Sequence, residues 1–290
     1  MDDSPAPGDL REFLRTRRAR ITPKEAGLPP EFSAGPRRVP GLRREEVALL
    51  AGISAEYYER FERGRVKSVS AAVLDAVARV LRLDATEHAH LRALAGPTRA
   101  RPAALTPQRV RPGLLRVLQT LDDVPALVLG RRMDVLATNA LAREFYTDFD
   151  ALPVRDRNMV RYLFTDASAR ELYHDWSATA RRVVASLRRY AGSHPHDPRL
   201  NDLVGELAVN DADFRRWWAE HDVYTRDHGS KRYHHPIVGE LELGYETFEP
   251  TGEADLVLGI HTVQPDSASA HALELLRQWI LPGSVAGLTN

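Results

Sequence analysis

The chain has 290 residues, of which 43% are hydrophobic, with 40 basic and 40 acidic side chains and no cysteine. The formal neutrality hides two opposed parts: residues 1–110 carry a net +6 and residues 111–290 a net −6, so only the first suits a polyanion. Lack of cysteine excludes disulfide scaffolds, thiolate zinc sites and cysteine nucleophiles, and no apolar run approaches the roughly 18 residues of a membrane-spanning helix.

The start, Met1 to Gly8, is acidic and holds two prolines, unlike a secretory signal, so the expected location is the cytoplasm, in association with the nucleoid. Asp9 can cap a first helix with Leu10, Phe13 and Leu14 as its apolar stripe. A loop rich in proline and glycine covers 22–41. A second helix is expected over 42–51, burying Val47 and Leu50, and Gly52 ends it. Ser54 caps a third, 55–63, which Gly64 terminates. Ser70 caps a fourth with a face of Val73, Leu74, Val77, Val80 and Leu81. Asp84 and Glu87 form a capping box that opens a fifth, through Leu91 and Leu94. Residues 96–112 hold four prolines and four arginines without periodicity and read as a linker.

Beyond the linker, 124–130 and 133–138 read as a strand pair, and Asn139-Ala140-Leu141-Ala142 opens a helix that ends near Phe149. Trp176, Ala180, Val183, Val184, Leu187 and Tyr190 share one helical stripe. A single long helix is expected over 201–221, with Leu203, Leu207, Phe214, Trp217 and Trp218. Ile237, Gly239, Leu241, Leu243 and Tyr245 alternate with more polar positions, a half-buried strand, and 255–263 gives another. This order suggests a PAS-like α/β sensor with a helical insertion. The expected domains are thus 1–95, a five-helix bundle, and 113–281, the α/β domain, joined by the 96–112 linker and followed by a tail, 282–290. The fold class is α plus α/β.

The informative stretch runs from Arg43 to Gly64. Two helices are joined by Gly52-Ile53-Ser54, where Gly52 permits a positive φ and Ile53 plugs the angle between them. Tyr58 and Phe61 face inward with Ile53, which leaves Glu56, Tyr57, Arg60 and Arg63 to solvent or to a groove. On Ala48, Gly52, Ile53, Ser54, Phe61, Glu62 and Gly64 the stretch resembles the helix-turn-helix of Xre/Cro-repressor-like transcription regulators. The longer run PGLRREEVALLAGIS–YYERFERGR, with VLDAVARVLRLD and EHAHLRALAG after it, resembles the MmyB-like regulators. So do Thr138-Asn139-x-x-Ala142, Phe214-x-x-x-Trp218-x-x-His221-x-Val223 and Lys231-x-x-x-His235-Pro236-x-Val238-Gly239. Val69 departs from the family's proline before the Ser70 cap, which affects a turn only.

The resemblance implies a recognition helix that opens at Ala55 and lies in the DNA major groove. Arg60 suits a guanine edge and Glu56 a cytosine amine. Arg43, Arg44, Ser54, Tyr57, Arg65 and Lys67 suit phosphates, and Arg37 and Arg38 offer a further backbone or minor-groove contact. The implied partners are double-stranded operator DNA, a second copy of the chain, and a small lipophilic ligand of fatty-acid type in the C-terminal domain. Arg188, one residue from its helix stripe, could fork onto a carboxylate. Asn139 either meets the ligand or simply caps its helix. Tyr162, Trp176 and Trp218 are either ligand wall or core, and His235 either bonds a ligand acid or fixes a turn. His261 reads as a core histidine. Several histidines fall in this half, but no ligand pair of HExxH type appears, so no metal or other cofactor is expected. With no nucleophile elbow, phosphate loop or dinucleotide fingerprint, the chain is not expected to be an enzyme. Two alternatives stay open: a constitutive DNA-binding protein whose second domain only dimerises, and an enzyme with a DNA-binding appendage.

Overall fold

The computed structural model describes residues 7–28, 41–66, 68–96, 107–224, 228–253 and 255–280. The N-terminal helices are α1 (Pro7–Ala19), α2 (Arg44–Ala51), α3 (Ala55–Glu62), α4 (Ala71–Val80) and α5 (Ala85–Ala95). Local chemistry sets their ends. Ser54 accepts from the Tyr57 amide at 3.1 Å and Ser70 from that of Val73 at 3.4 Å. Asp84 and Glu87 cap each other's amides, at 2.8 and 3.2 Å, which supplies partners for donors the helix cannot satisfy internally. The apolar stripes then meet: Phe13, Leu14, Leu42, Val47, Tyr58, Phe61, Val77 and Leu91 are buried together.

Next come α6 (Pro112–Thr120), β1 (Ala126–Leu129), β2 (Val135–Thr138), α7 (Ala140–Phe145), α8 (Met159–Thr165) and α9 (Ala167–Leu172). They are followed by α10 (Trp176–Ser193), α11 (Pro198–Asn210), α12 (Ala212–Ala219), β3 (His228–His235), β4 (Gly239–Phe248), β5 (Val257–Thr262) and α13 (Ala268–Ile280). The strands form one sheet in the order β2-β1-β5-β4-β3, every neighbour antiparallel. Two strands, helices, then closing antiparallel strands is the order expected of a PAS-like domain, with three closing strands where two were expected. Gly239, at φ +73°, closes the tight β3–β4 hairpin in a conformation that costs other residues energy.

Several elements differ from the sequence-based expectations, and α6, α8, α9 and α13 were not anticipated. The single helix over 201–221 is two, because Asp211 interrupts it and its side chain accepts from the Phe214 amide at 2.8 Å, a cap in place of a continued turn. The helix after Asn139 stops at Phe145, not near Phe149. β3 was not anticipated, since HGSKRYHH is polar at most positions and buries only Tyr233 and His235.

The chain clusters into two compact units. The first holds Met1–Leu105 with Arg188–Asn201 and Arg216–Thr225, and the second the remainder. The division falls inside α10, α11 and α12. In the first unit, the Arg17 guanidinium, 2% exposed, lies 2.8 Å from Glu87 and donates to the His221 carbonyl at 2.5 Å. In the second, α6 covers one face of β1 and β5 through Leu114, Leu118, Ala126, Val128 and Leu258. A second core gathers Phe145, Tyr146, Tyr162, Tyr173, Tyr233, His235 and His261 in edge-on and stacked ring contacts.

Candidate functional site

The first candidate site is the surface that α3 presents. Gly52 ends α2 at φ +70°, and Ser54 restarts the helix two residues later, so the chain reverses within one turn. Tyr58, Phe61 and Glu62 are buried on the inner side of α3, whereas Ser54, Ala55, Glu56 and Arg60 are exposed and Tyr57 is half-buried. Among the described residues no carboxylate pairs with Arg60. The neighbouring Arg63 is held by Glu59 at 2.7 Å. Arg65 is exposed just past the helix, and Arg43 is half-buried before α2, its amide donating to Glu46 at 2.6 Å. Lys67, Arg37 and Arg38 lie outside the described residues.

Arg44 has a second employment that its sequence position does not reveal. Glu62, fully buried, takes Arg18 Nε at 3.0 Å and Arg44 Nε and Nη2 at 2.9 and 2.8 Å, while Arg18 Nη1 donates to the Leu42 carbonyl at 2.8 Å. The carboxylate hydrogen bond raises the pKa of Arg44. Burying a carboxylate is costly unless it is paired and hydrogen-bonded. This triad meets that cost while fixing α1, the start of α2 and the end of α3 to one point. Glu62 is legible in the sequence only as a motif position, because Arg18 lies 44 residues away.

The residues expected to meet a ligand are distributed over both units. Asn139, 4% exposed, caps α7 by accepting from the Ala142 amide at 2.8 Å, also accepts from the Ala126 amide at 3.1 Å, and donates to the Val124 and Leu121 carbonyls. Its hydrogen-bonding capacity is thus spent on tying β1 to α7. Tyr162 is buried and donates to the Tyr146 carbonyl at 3.2 Å. Trp176 donates to the Leu163 carbonyl at 2.8 Å beneath the Arg170 guanidinium. His235 stacks on Phe145, accepts from the Ile237 amide at 3.3 Å and donates to the Glu144 carbonyl at 3.2 Å, so both ring nitrogens are occupied. Burial lowers its pKa.

Arg188 and Trp218 belong to the first unit. The Arg188 guanidinium lies 3.7 Å over the Trp218 ring, donates to the Trp218 carbonyl and sits 3.6 Å from Asp9 of α1. Burial pulls its pKa down to about 10, still far above neutrality. The carboxylate it engages is one of the chain's own. Tyr146, Tyr173 and Tyr233, at the centre of the second unit's aromatic core, carry no motif that would have singled them out. Among the described residues no three His, Asp or Glu side chains gather in a metal-binding geometry.

A helix-turn-helix whose second helix has an exposed face, together with an α/β domain, defines a class, the two-domain DNA-binding regulators. Comparison with known families agrees: residues 9–91 match a helix-turn-helix domain, and residues 110–276 match the MmyB-like transcription regulator ligand binding domain. The latter covers more than half of the chain, which therefore belongs to the MmyB-like transcription regulators. No curated protein matches the sequence. No described helix is long and apolar enough to cross a membrane.

Proposed function

We propose that the protein is a cytoplasmic, sequence-specific transcription regulator that binds operator DNA as a homodimer and responds to a small lipophilic ligand of fatty-acyl type. The observation that carries the DNA reading is the division of α3: Tyr58, Phe61 and Glu62 are buried, while Glu56 and Arg60 are exposed. On this reading Arg60 and Glu56 address base edges, Ala55 opens the reading helix close to the bases, and Ser54, Tyr57, Arg43, Arg65 and Lys67 take phosphates. Arg44 reaches a phosphate only with the part of its guanidinium that Glu62 leaves exposed. The net +6 of residues 1–110 supplies the sequence-independent attraction.

Ligand reaches the second domain, where Tyr162, Trp176 and His235 help to shape the wall of the site and Asn139 holds the strand–helix junction behind it. Binding there changes DNA affinity only if the two states of the protein hold the ligand differently. No hydrolytic or phosphate-transfer motif accompanies this arrangement, and a regulator without catalysis is the simpler reading. A mobility-shift assay with the DNA upstream of the protein's own gene, with footprinting of the shifted band, tests it. A protected duplex of two half-sites about one helical turn apart is expected, and uniform, sequence-independent protection would overturn it.

A further inference from the structure

Arg17 and Arg18 are neighbours on α1, and both are buried, at 2% and 8% exposed. One residue turns a side chain by about 100° around a helix axis, so the two guanidinium groups leave α1 towards different elements. Arg18 bonds Glu62 at the C-terminal end of α3, through Nε at 3.0 Å and Nη2 at 3.3 Å. Arg17 goes elsewhere: its Nη2 donates to the His221 carbonyl at 2.5 Å and lies 3.5 Å from the Asp222 carboxylate. Arg20, nearly one turn further along α1, pairs with that same carboxylate.

Residues 216–225 fall within the stretch that matches the ligand-binding domain, 110–276, yet they cluster with the N-terminal helices. So do residues 188–201, which meet the start of α1, where Arg188 lies 3.6 Å from Asp9. Gly192 packs so tightly on α5 that a Cβ there would fall 2.3 Å from the His90 ring. Within the first unit, α1 is thus fastened at both ends to chain that the family match assigns to ligand binding, and at Arg18 to α3. Arg17, Arg18 and Arg188 are all buried, and a buried guanidinium resists displacement, because losing its partner leaves a charge in an apolar interior. Packed helices respond to a push by small rigid shifts. A shift of residues 216–225 therefore carries α1, and with it the end of α3.

We propose that Arg17 is a positioning residue for operator reading. Buried as it is, it touches no DNA. By gripping residues 221 and 222 it sets where α1 stands, and Arg18 and Glu62 pass that placement on to α3. The part of the ligand-binding stretch that packs on α1 thereby tunes how α3 meets base edges. This rests on α3 being the helix that reads the DNA.

The test uses the full-length protein and three variants, Asp222→Asn, Asp222→Glu and Arg17→Gln, with circular dichroism to verify folding. Asp222 is approached because it is only half-buried and its amide variant keeps the shape. Affinities for the footprinted operator and for a scrambled duplex are measured over a salt series, and amide hydrogen exchange is followed by mass spectrometry without DNA. Asp222→Asn and Arg17→Gln are expected to lose about tenfold in operator affinity, the scale of a coupling between distinct sites. The scrambled duplex and the salt slope should not change, since no phosphate contact is lost. Asp222→Glu, which keeps the charge, should retain the operator affinity. Exchange over 55–62 is expected to quicken about tenfold in Asp222→Asn while that over 71–80 stays as in the wild type, a local loosening of α3 and not a general one.

Operator affinity and α3 exchange unaltered in Asp222→Asn would overturn the proposal. So would an equal loss on both duplexes with α4 quickened alongside α3, which is the pattern of plain destabilisation. A wild type that does not distinguish operator from scrambled DNA removes the reading role of α3. The exchange data then still decide the mechanical link, which stands if quickening is confined to α1 and α3 and falls if it is absent or general.

Discussion

Glu62 grips Arg18 and Arg44 at once from a fully buried position, at 3.0 and 2.8 Å, and this joins three helices at the C-terminal end of α3. Removing the carboxylate leaves Arg18, which is buried, without its charged partner. Glu62→Gln keeps the volume but leaves two guanidinium groups without their carboxylate, and is expected to destabilise the first unit by about 3 to 5 kcal/mol. Urea unfolding followed by circular dichroism measures it. A loss below about 1 kcal/mol would mean that the triad behaves like an exposed ion pair.

The turn between α2 and α3 depends on backbone more than on packing. A Cβ on Gly52 would meet nothing within 4 Å, yet its φ is +70°. Gly52→Ala therefore carries a purely conformational cost, expected at about 1 to 2 kcal/mol. Ser54→Ala removes the Tyr57 cap and is expected to cost about 1 kcal/mol. Thermal denaturation of the two variants checks both values.

Two helical glycines should respond in opposite directions to the same substitution. A Cβ on Gly192 would fall 2.3 and 2.5 Å from the His90 ring, whereas one on the exposed Gly205 of α11 meets nothing within 4 Å. Gly192→Ala is expected to destabilise by about 1 to 3 kcal/mol through overpacking. Gly205→Ala is expected to stabilise by about 0.5 to 1 kcal/mol, because alanine loses less backbone entropy in a helix. Midpoints of urea unfolding decide the signs.

How much of this was legible in the sequence follows from the range of each interaction. Caps at Ser54, Ser70 and Asp84 bond their own first turn, and the stripes of α1 and α4 repeat within a few residues, so residues 44–95 could be read almost element by element. The Arg18–Glu62 pairing spans 44 residues, and no local pattern distinguishes a buried Arg44 partner from a phosphate-facing arginine. β3 escaped notice because only one of its faces is buried and the other is as polar as a loop. Arg188 sits beside an apolar stripe and looks available to a ligand. Its true neighbours, Asp9 and Trp218, are distant in sequence and unrelated by any period.

Acid sensitivity should come partly from two histidines of the first unit. Burial lowers His90 and His221 from 6.5 to about 3. Between those values the unfolded chain binds protons that the folded chain does not, so stability falls as pH drops from about 6.5 towards 3, by up to about 1.4 kcal/mol per pH unit for each group. Above 6.5 neither histidine contributes to the slope. Urea midpoints across this window should show a slope for His90→Gln smaller than that of the wild type by about one proton. Identical slopes would place the His90 proton on the folded protein as readily as on the unfolded one.

Arg60 is the side chain on which the DNA reading most depends, and Arg65 is its control. A shift assay on the footprinted operator, run over a series of salt concentrations with competitor DNA of scrambled sequence, compares the two alanine variants with wild type. Arg60→Ala is expected to lose about 1 to 3 kcal/mol of operator affinity with little change on the scrambled duplex. Arg65→Ala should weaken both duplexes alike and reduce the salt slope by about one. Operator affinity equal to wild type in Arg60→Ala would contradict the assignment of α3 as the helix that reads the DNA.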